Sequence, residues 1–318
     1  MVNGPALRIG FFGTPDFAVP TLEALLASRH NVVAVVSQPD RPKGRGHKLQ
    51  MTPTHVAAGA AGVPVLQPER VRDDLFLHEV AGMRLDLGVV AAYGKILPEA
   101  LLELPRLGMV NVHASLLPAY RGAAPVHRAV INGDRETGVT IMRVVRELDA
   151  GPMMAKASRP IDPDETSVEV EAALARLGAP LLVSVVDALA TGTAVETPQD
   201  DARATFAPKI ARSEGTIDWI RRAAEIHNLV RGLQPWPLVS AWLDGQRYLL
   251  HRTGRTQDRA AAPGGTIVHA AGDRLSVASG DGELLDILRI QPEGRRVMQT
   301  REFLAGHRLT PGARFTSG

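Results

Sequence analysis

The stretch VNVHASLLPAYRG, residues 110–122, decides how the rest of the chain is read. In Val110-Asn111-Val112-His113 two valines alternate with two polar residues, the period of a strand with one face in a core. Asn111 and His113 therefore share the opposite face. Ser115-Leu116-Leu117-Pro118 leads into Tyr120–Pro125, a Gly/Pro-punctuated turn that feeds a short helix. Pro125 suits the first helical turn, and Asn132-Gly133 a C-terminal stop. A second strand, Thr137 to Val145, runs into Glu147-Leu148-Asp149-Ala150-Gly151. An Asn, a His and an Asp thus emerge near strand ends, where open α/β sheets place their ligand clefts.

Working outward, Leu7–Gly13 and Asn31–Ser37 read as buried strands, with a helix from Asp16 to about Ser28 between them. Helices follow over Thr54–Gly62 and Asp73–Gly82, with a short strand at Val63–Leu66. Leu85–Ala92 is another buried strand, delivering Tyr93-Gly94-Lys95-Ile96-Leu97-Pro98. Beyond Asp149, two helices are expected, Ser167–Leu177 and Pro180–Thr191. This alternation predicts a doubly wound, Rossmann-like α/β domain over residues 1–192. Thr193–Pro208 is polar and reads as a linker. Residues 209–318 open with a helix ending near Leu233 and continue as about five short strands between Gly/Asp turns, which predicts a small OB-like β-barrel. Trp219 and Trp236 read as packing residues.

The polar trio suggests a chemistry. Asn offers a neutral amide donor, His can donate or accept a proton near neutral pH, and Asp can orient and charge-stabilise the His. The chain has no Cys, and no Ser sits in a G-x-S-x-G elbow, so a covalent acyl-enzyme is not expected. Direct attack of an external amine on an activated carbonyl suits the set better, with Asn111 and His113 facing the oxyanion. Each residue alone has an ordinary structural reading, a satisfied histidine or a turn aspartate. Gly10 and Gly13 give G-x-x-G rather than a dinucleotide fingerprint, which argues against a nicotinamide-dependent dehydrogenase.

Taken whole, residues 111–151 resemble the signature of the 10-formyltetrahydrofolate-dependent formyltransferases, and Gly13-Thr14-Pro15-Asp16-Phe17 resembles that family's N-terminal signature. The resemblance implies catalysis by Asn111, His113 and Asp149. It implies tetrahydrofolate binding by Ser115, Leu116, Leu117 and Pro118, with main-chain contacts from Tyr93, Gly94, Lys95 and Ile96. The cosubstrate would be 10-formyltetrahydrofolate, with no metal. Gln38–Lys48, a loop by composition with four fixed positive charges, resembles the segment by which members acting on methionyl initiator tRNA grip the acceptor stem. Arg41, Lys43, Arg45 and Lys48 are the candidate tRNA contacts, Arg45 first. Ile217-Asp218-Trp219 and Gln234-Pro235-Trp236-Pro237 resemble the C-terminal domain of the same members. The alternative acceptor is an amino-sugar nucleotide; a folate- or RNA-binding module without activity is the reading from another class.

Totals set the bounds. At 318 residues, 45% hydrophobic and 22% charged, the chain has the length and composition of a two-domain globular protein. No run approaches about 18 apolar residues, and no charged-then-apolar leader opens it. A cytoplasmic, monomeric enzyme is expected, and the absence of Cys fits a reducing compartment. Net charge is +2 but uneven: from Pro208 onward 16 Lys+Arg face 11 Asp+Glu, which suggests a polyanionic partner for the C-terminal part.

Overall fold

The computed structural model describes residues 4–43 and 48–318, and of Lys43 and Lys48 the backbone alone. In chain order the strands of the first half are β1 (Arg8–Gly13), β2 (Asn31–Val36), β3 (Arg41–Lys43), β4 (Lys48–Gln50), β5 (Val65–Leu66), β6 (Leu87–Ala91), β7 (Met109–His113), β8 (Arg121–Gly122), β9 (Glu136–Arg143) and β10 (Met153–Pro160). The helices among and after them are α1 (Val19–Leu26), α2 (Pro53–Ala60), α3 (Asp74–Gly82), α4 (Glu99–Leu102), α5 (Pro125–Asn132) and α6 (Ser167–Thr191). By contact density the chain forms two units: residues 1–122, 137–159 and 171–206, and residues 123–136, 160–170 and 207–318.

The first unit is built on a seven-stranded sheet in the order β10-β9-β7-β6-β1-β2-β5. Its apolar strands are buried on both faces, which is why they read as continuous hydrophobic runs. The pairs β1–β2, β1–β6, β2–β5 and β6–β7 are parallel, and β9 returns antiparallel to β7. The carboxyl ends of β1, β6 and β7 therefore share one edge. The chain leaves β1 for one side of the sheet and returns through β6 on the other, so this edge is also the switch point where such sheets bind ligands.

Two elements differ from the sequence reading. Ser167–Thr191 is one continuous helix with Pro180 inside it, not two. A proline in a helix interior costs about 3 kcal/mol, but Leu174, Ala175, Leu182 and Val186 bury one apolar face along the whole length. Gly178 permits the close approach: a Cβ there would lie 3.0 Å from Val112 and 3.1 Å from Val139. By length and composition α6 is apolar enough to cross a membrane, a property it shares with core helices of this kind. Secondly, the basic segment read as loop is a hairpin in its described part, β3 pairing with β4 through Arg41–Gln50, Pro42–Leu49 and Lys43–Lys48. Its base is pinned by Asp40, whose carboxylate accepts from Thr52 N at 3.0 Å, Gln67 Nε2 at 2.8 Å and His55 Nδ1 at 3.0 Å. Burial pushes this carboxyl up, yet those bonds and the His55 charge outweigh it and hold its pKa below the ordinary value.

In the second unit α5 packs on α7 (Ala223–Gly232), where the bare Gly232 backbone lies against Ile131. Between the two halves of the chain runs β11 (Phe206–Ala207), and the antiparallel sheet follows: β12 (Val239–Leu243), β13 (Gln246–Arg259), β14 (Ile267–Ala271), β15 (Arg274–Ala278), β16 (Glu283–Pro292) and β17 (Met298–Gln299), before α8 (Thr300–Gly306). The order is β12-β13-β16-β15-β14, with β17 beside β16. The C-terminal residues close it into an OB-like barrel, with Thr316 bridging Trp242 on β12 and Arg314 bridging Thr266 at β14. Closure removes the exposed sheet edges that would otherwise template aggregation. Trp219 is buried as expected and stacks on Phe315 at 6.0 Å, but Trp236 is 52% exposed and is not a core residue.

Phe315 is 1% exposed and also meets Tyr248 edge-on at 5.9 Å. Phe315→Ala is expected to destabilise this unit by about 3–5 kcal/mol. The change would appear in denaturant unfolding followed by Trp fluorescence, and a loss under 1 kcal/mol would show that the C-terminal residues do not close the core.

Candidate active site

Asn111 and His113 stand on one face at the carboxyl end of β7, as the alternation requires. Their neighbours in register are Met142 and Thr140 on β9. The Asn111 amide is half-buried and makes no hydrogen bond to another side chain or backbone group among the described residues. A primary amide left free beside a buried histidine has donors to spare for something that enters the site. His113 is 5% exposed, and its Nε2 lies 3.0 Å from the Tyr120 carbonyl. A carbonyl only accepts, so Nε2 carries the proton and Nδ1 is left to face Asp149.

Asp149 arrives from the connection between β9 and β10. Its Oδ2 lies 3.7 Å from His113 Nδ1, beyond hydrogen-bond range, and accepts instead from the Gly122 N–H at 2.8 Å. The sequence reading had Asp149 fixing the histidine; in this structure the Tyr120 carbonyl holds the ring, and Asp149 supplies negative charge beside it. The placement is backbone-determined. A Cβ at Gly151 would strike the Arg143 carbonyl, so only glycine lets the connection turn this tightly against β9. Asp149 itself sits at φ 49° and Tyr120 at φ 64°, left-handed conformations that non-glycine residues rarely hold.

The segment between β7 and β8 is stapled to β9 by Thr140, whose hydroxyl donates to Ser115 O at 2.7 Å and accepts from Leu117 N at 3.1 Å. Ser115 Oγ donates to Ala119 O at 2.6 Å, and the Leu117 side chain is fully buried. Lys156 Nζ donates to Leu117 O. Burial, and then the charge of Arg203, hold that ammonium's pKa below the ordinary lysine value. Sequence reading missed Lys156, which no local motif marks.

The 93–96 segment follows β6 on the same edge. The Tyr93 ring is core, edge-on to Phe12 at 5.9 Å, and burial pushes its hydroxyl up to about 12. Its carbonyl accepts from Gln38 Nε2 at 2.8 Å and Thr14 Oγ1 at 3.2 Å. Lys95 spends its ammonium on the Pro68 and Glu69 carbonyls. Gly94 adopts φ 81°, and a Cβ there would meet Gln38 at 2.6 Å. Of the three side chains in this segment, that of Ile96 stays open, at 80% exposure. The nominated folate residues thus divide: Tyr93, Lys95, Ser115 and Leu117 commit their side chains internally, whereas Gly94, Ile96 and the half-buried Leu116 and Pro118 flank the edge.

Of the nominated tRNA contacts, Arg41 is exposed on β3, Lys43 and Lys48 are its paired backbone positions, and Arg45 lies outside the described residues. On the barrel, Arg252 of β13 and Arg289 of β16 are direct cross-strand partners. No local pattern in the sequence pairs them, because the two positions are 37 residues apart in the chain.

Comparison with known proteins agrees with this architecture. Residues 7–186 match the family model described as formyl transferase, and residues 209–308 match formyl transferase, C-terminal domain. The chain is 48% identical over 304 residues to a methionyl-tRNA formyltransferase of Pelobacter propionicus, covering 96% of this chain and 94% of that one. It is 46% identical over 306 residues to that of Citrifermentans bemidjiense, with 96% and 95% covered. Among solved structures, an N-formyltransferase from Helicobacter canadensis in complex with folinic acid and dTDP-3-aminofucose superposes with a TM-score of 0.69 at 17% identity, over 90% of this chain and 99% of that one; it shares the fold. Sheet, barrel and near-full-length identity together make the chain a member of the formyl transferase family, within the group whose members are named methionyl-tRNA formyltransferase.

Proposed function

We propose that the chain transfers the formyl group of 10-formyltetrahydrofolate to the α-amine of methionyl initiator tRNA in the cytoplasm, releasing tetrahydrofolate. The observation that carries the chemistry is the convergence of a free Asn111 amide, His113 and Asp149 on one sheet edge. The acceptor rests on the near-full-length identity to proteins of that name. The flanking Gly94, Ile96, Leu116 and Pro118 suit a pterin that is read largely by main chain, with Ile96 offering an apolar surface.

In the reaction the amine nitrogen bonds to the formyl carbon and the C=O pair moves onto oxygen. The Asn111 amide and His113 would stabilise that oxyanion, with the Asp149 carboxylate beside the imidazole. Collapse breaks the bond from the formyl carbon to N10, and the proton lost by the amine ends on N10. His113 is the group placed to carry it, and no covalent enzyme adduct is needed. The basic hairpin would neutralise phosphates of the acceptor stem, a contribution that weakens as added salt lowers the free-energy gain from counterion release.

The deciding assay follows labelled formyl from 10-formyltetrahydrofolate onto methionyl initiator tRNA, methionyl elongator tRNA, glycinamide ribonucleotide and an amino-sugar nucleotide. Label on initiator methionyl-tRNA alone is expected; label on the amino-sugar nucleotide alone would replace the acceptor and leave the catalytic set intact. Asn111→Ala should lower kcat about 100- to 1000-fold with little change in tRNA affinity, as loss of one oxyanion donor does elsewhere. A KM effect without a kcat effect would make Asn111 a binding residue. Arg45→Ala is expected to raise the KM for tRNA and reduce the slope of log affinity against log salt by about one; an unchanged slope would remove Arg45 from the phosphate contacts.

A further inference from the structure

From the hydrogen bonds around Arg121 we infer that the strap Gln199–Thr205 is a positioning device for His113 and Asp149, with Gln199 its central residue. This rests on the formyl-transfer reading above. Residues 193–208 look like a polar linker by composition, and nothing in the strap's own sequence marks a role in chemistry. In the fold the Gln199 side chain uses its whole amide. Its Oε1 accepts from Arg121 Nε at 3.0 Å and Nη2 at 2.8 Å, and its Nε2 donates to Asp149 O at 2.7 Å and Gly151 O at 2.8 Å. Because Asp149 Oδ2 accepts from Gly122 N, next in chain to Arg121, the contacts form a closed ring: Gln199 to Asp149, Asp149 to Gly122, and Arg121 back to Gln199.

The same strap reaches the other side of His113. Thr205 Oγ1 accepts from Tyr120 N at 2.9 Å, and Thr205 O accepts from Arg121 N at 2.8 Å. Tyr120 O is the group that holds His113 Nε2. Asp201 adds a carboxylate to the Arg121 guanidinium at 2.6 Å. Both supports of the histidine environment, Tyr120 and Asp149, are non-glycine residues at positive φ. Such conformations cost of order 1–3 kcal/mol and persist where surrounding bonds over-determine them. Gln199 and Thr205 provide those bonds from a segment some 50 to 85 residues distant in the chain. Gln199 touches no reacting atom; it acts through Asp149, and Thr205 acts through Tyr120.

Gln199→Glu keeps an acceptor for Arg121 and removes the two N–H donors to the Asp149 and Gly151 carbonyls. In the full-length enzyme it is expected to lower single-turnover formyl transfer at saturating substrates by about 10- to 100-fold, with both KM values changed less than about threefold. In an Asp149→Asn background the same substitution should have almost no further effect, because both act through one carboxylate. A wild-type rate for Gln199→Glu, or losses that multiply in full in the double variant, would overturn the inference. Thr205→Val, which removes just the acceptor for Tyr120 N–H, carries the same test through kcat should Gln199→Glu fail to fold. A wild-type chain that labels a different acceptor defeats the tRNA reading while leaving Gln199 to be tested on that acceptor. A wild-type chain that labels none overturns both.

Discussion

Placing an imidazole and a carboxylate side by side, largely out of water, costs several kcal/mol per charged group unless each finds hydrogen bonds. Here His113 is 5% exposed and the Asp149 side chain 13%. The fold meets that demand with backbone: the Tyr120 carbonyl serves the imidazole, and the Gly122 N–H serves the carboxylate. Both come from the segment following β7, which must therefore double back over the strand end that carries His113. Its left-handed Tyr120, its Thr140 staple and its dependence on the strap all follow from that single requirement.

The parallel sheet supplies the rest of the geometry. Because β1, β6 and β7 point the same way, residues far apart in the chain, Thr14, Tyr93 and His113, come to one edge. Residues at that edge fall into two kinds. Some, such as Ser115 and Lys95, spend their side-chain polar atoms on the protein and hold the loops rigid. Asn111 spends none among the described residues, which leaves its donors for a developing charge and keeps the reorganisation cost of using them small. Pairing rigid supports with one uncommitted donor is what preorganisation looks like at the level of single side chains.

Electrostatic features occur in both units, each anchored by a different means. The hairpin of the first is held at its base by Asp40, a carboxylate whose hydrogen bonds from Gln67, Thr52 and His55 outweigh its burial. The barrel of the second sets Arg252 opposite Arg289 across β13 and β16, with the register kept by the closed ladder. Closure depends on the last few residues, through Arg314, Phe315 and Thr316. Surface charge adds to affinity for a polyanion, and sheet pairing keeps that charge in place.

Short-range sequence pattern is sufficient for several features of the fold and the site. Alternation placed Asn111 and His113 on one face of β7, apolar runs marked β1, β2 and β6, and Gly/Asp turns marked the barrel strands. Those signals survive because side-chain period and turn chemistry are local. It misjudged α6, where Gly178 and Pro180 look like a break but long-range burial of one face keeps the helix whole. It also took Trp236 for core, since an indole's exposure is set by what packs over it rather than by its neighbours in the chain. The tertiary structure alone decided that the Asp149 carboxylate stops at 3.7 Å from His113, that Arg121 reaches Gln199 and Asp201, and that Arg252 faces Arg289. Those pairings join residues about 36 to 80 positions apart, and no local propensity encodes a hydrogen bond whose two ends meet only after the sheet has formed.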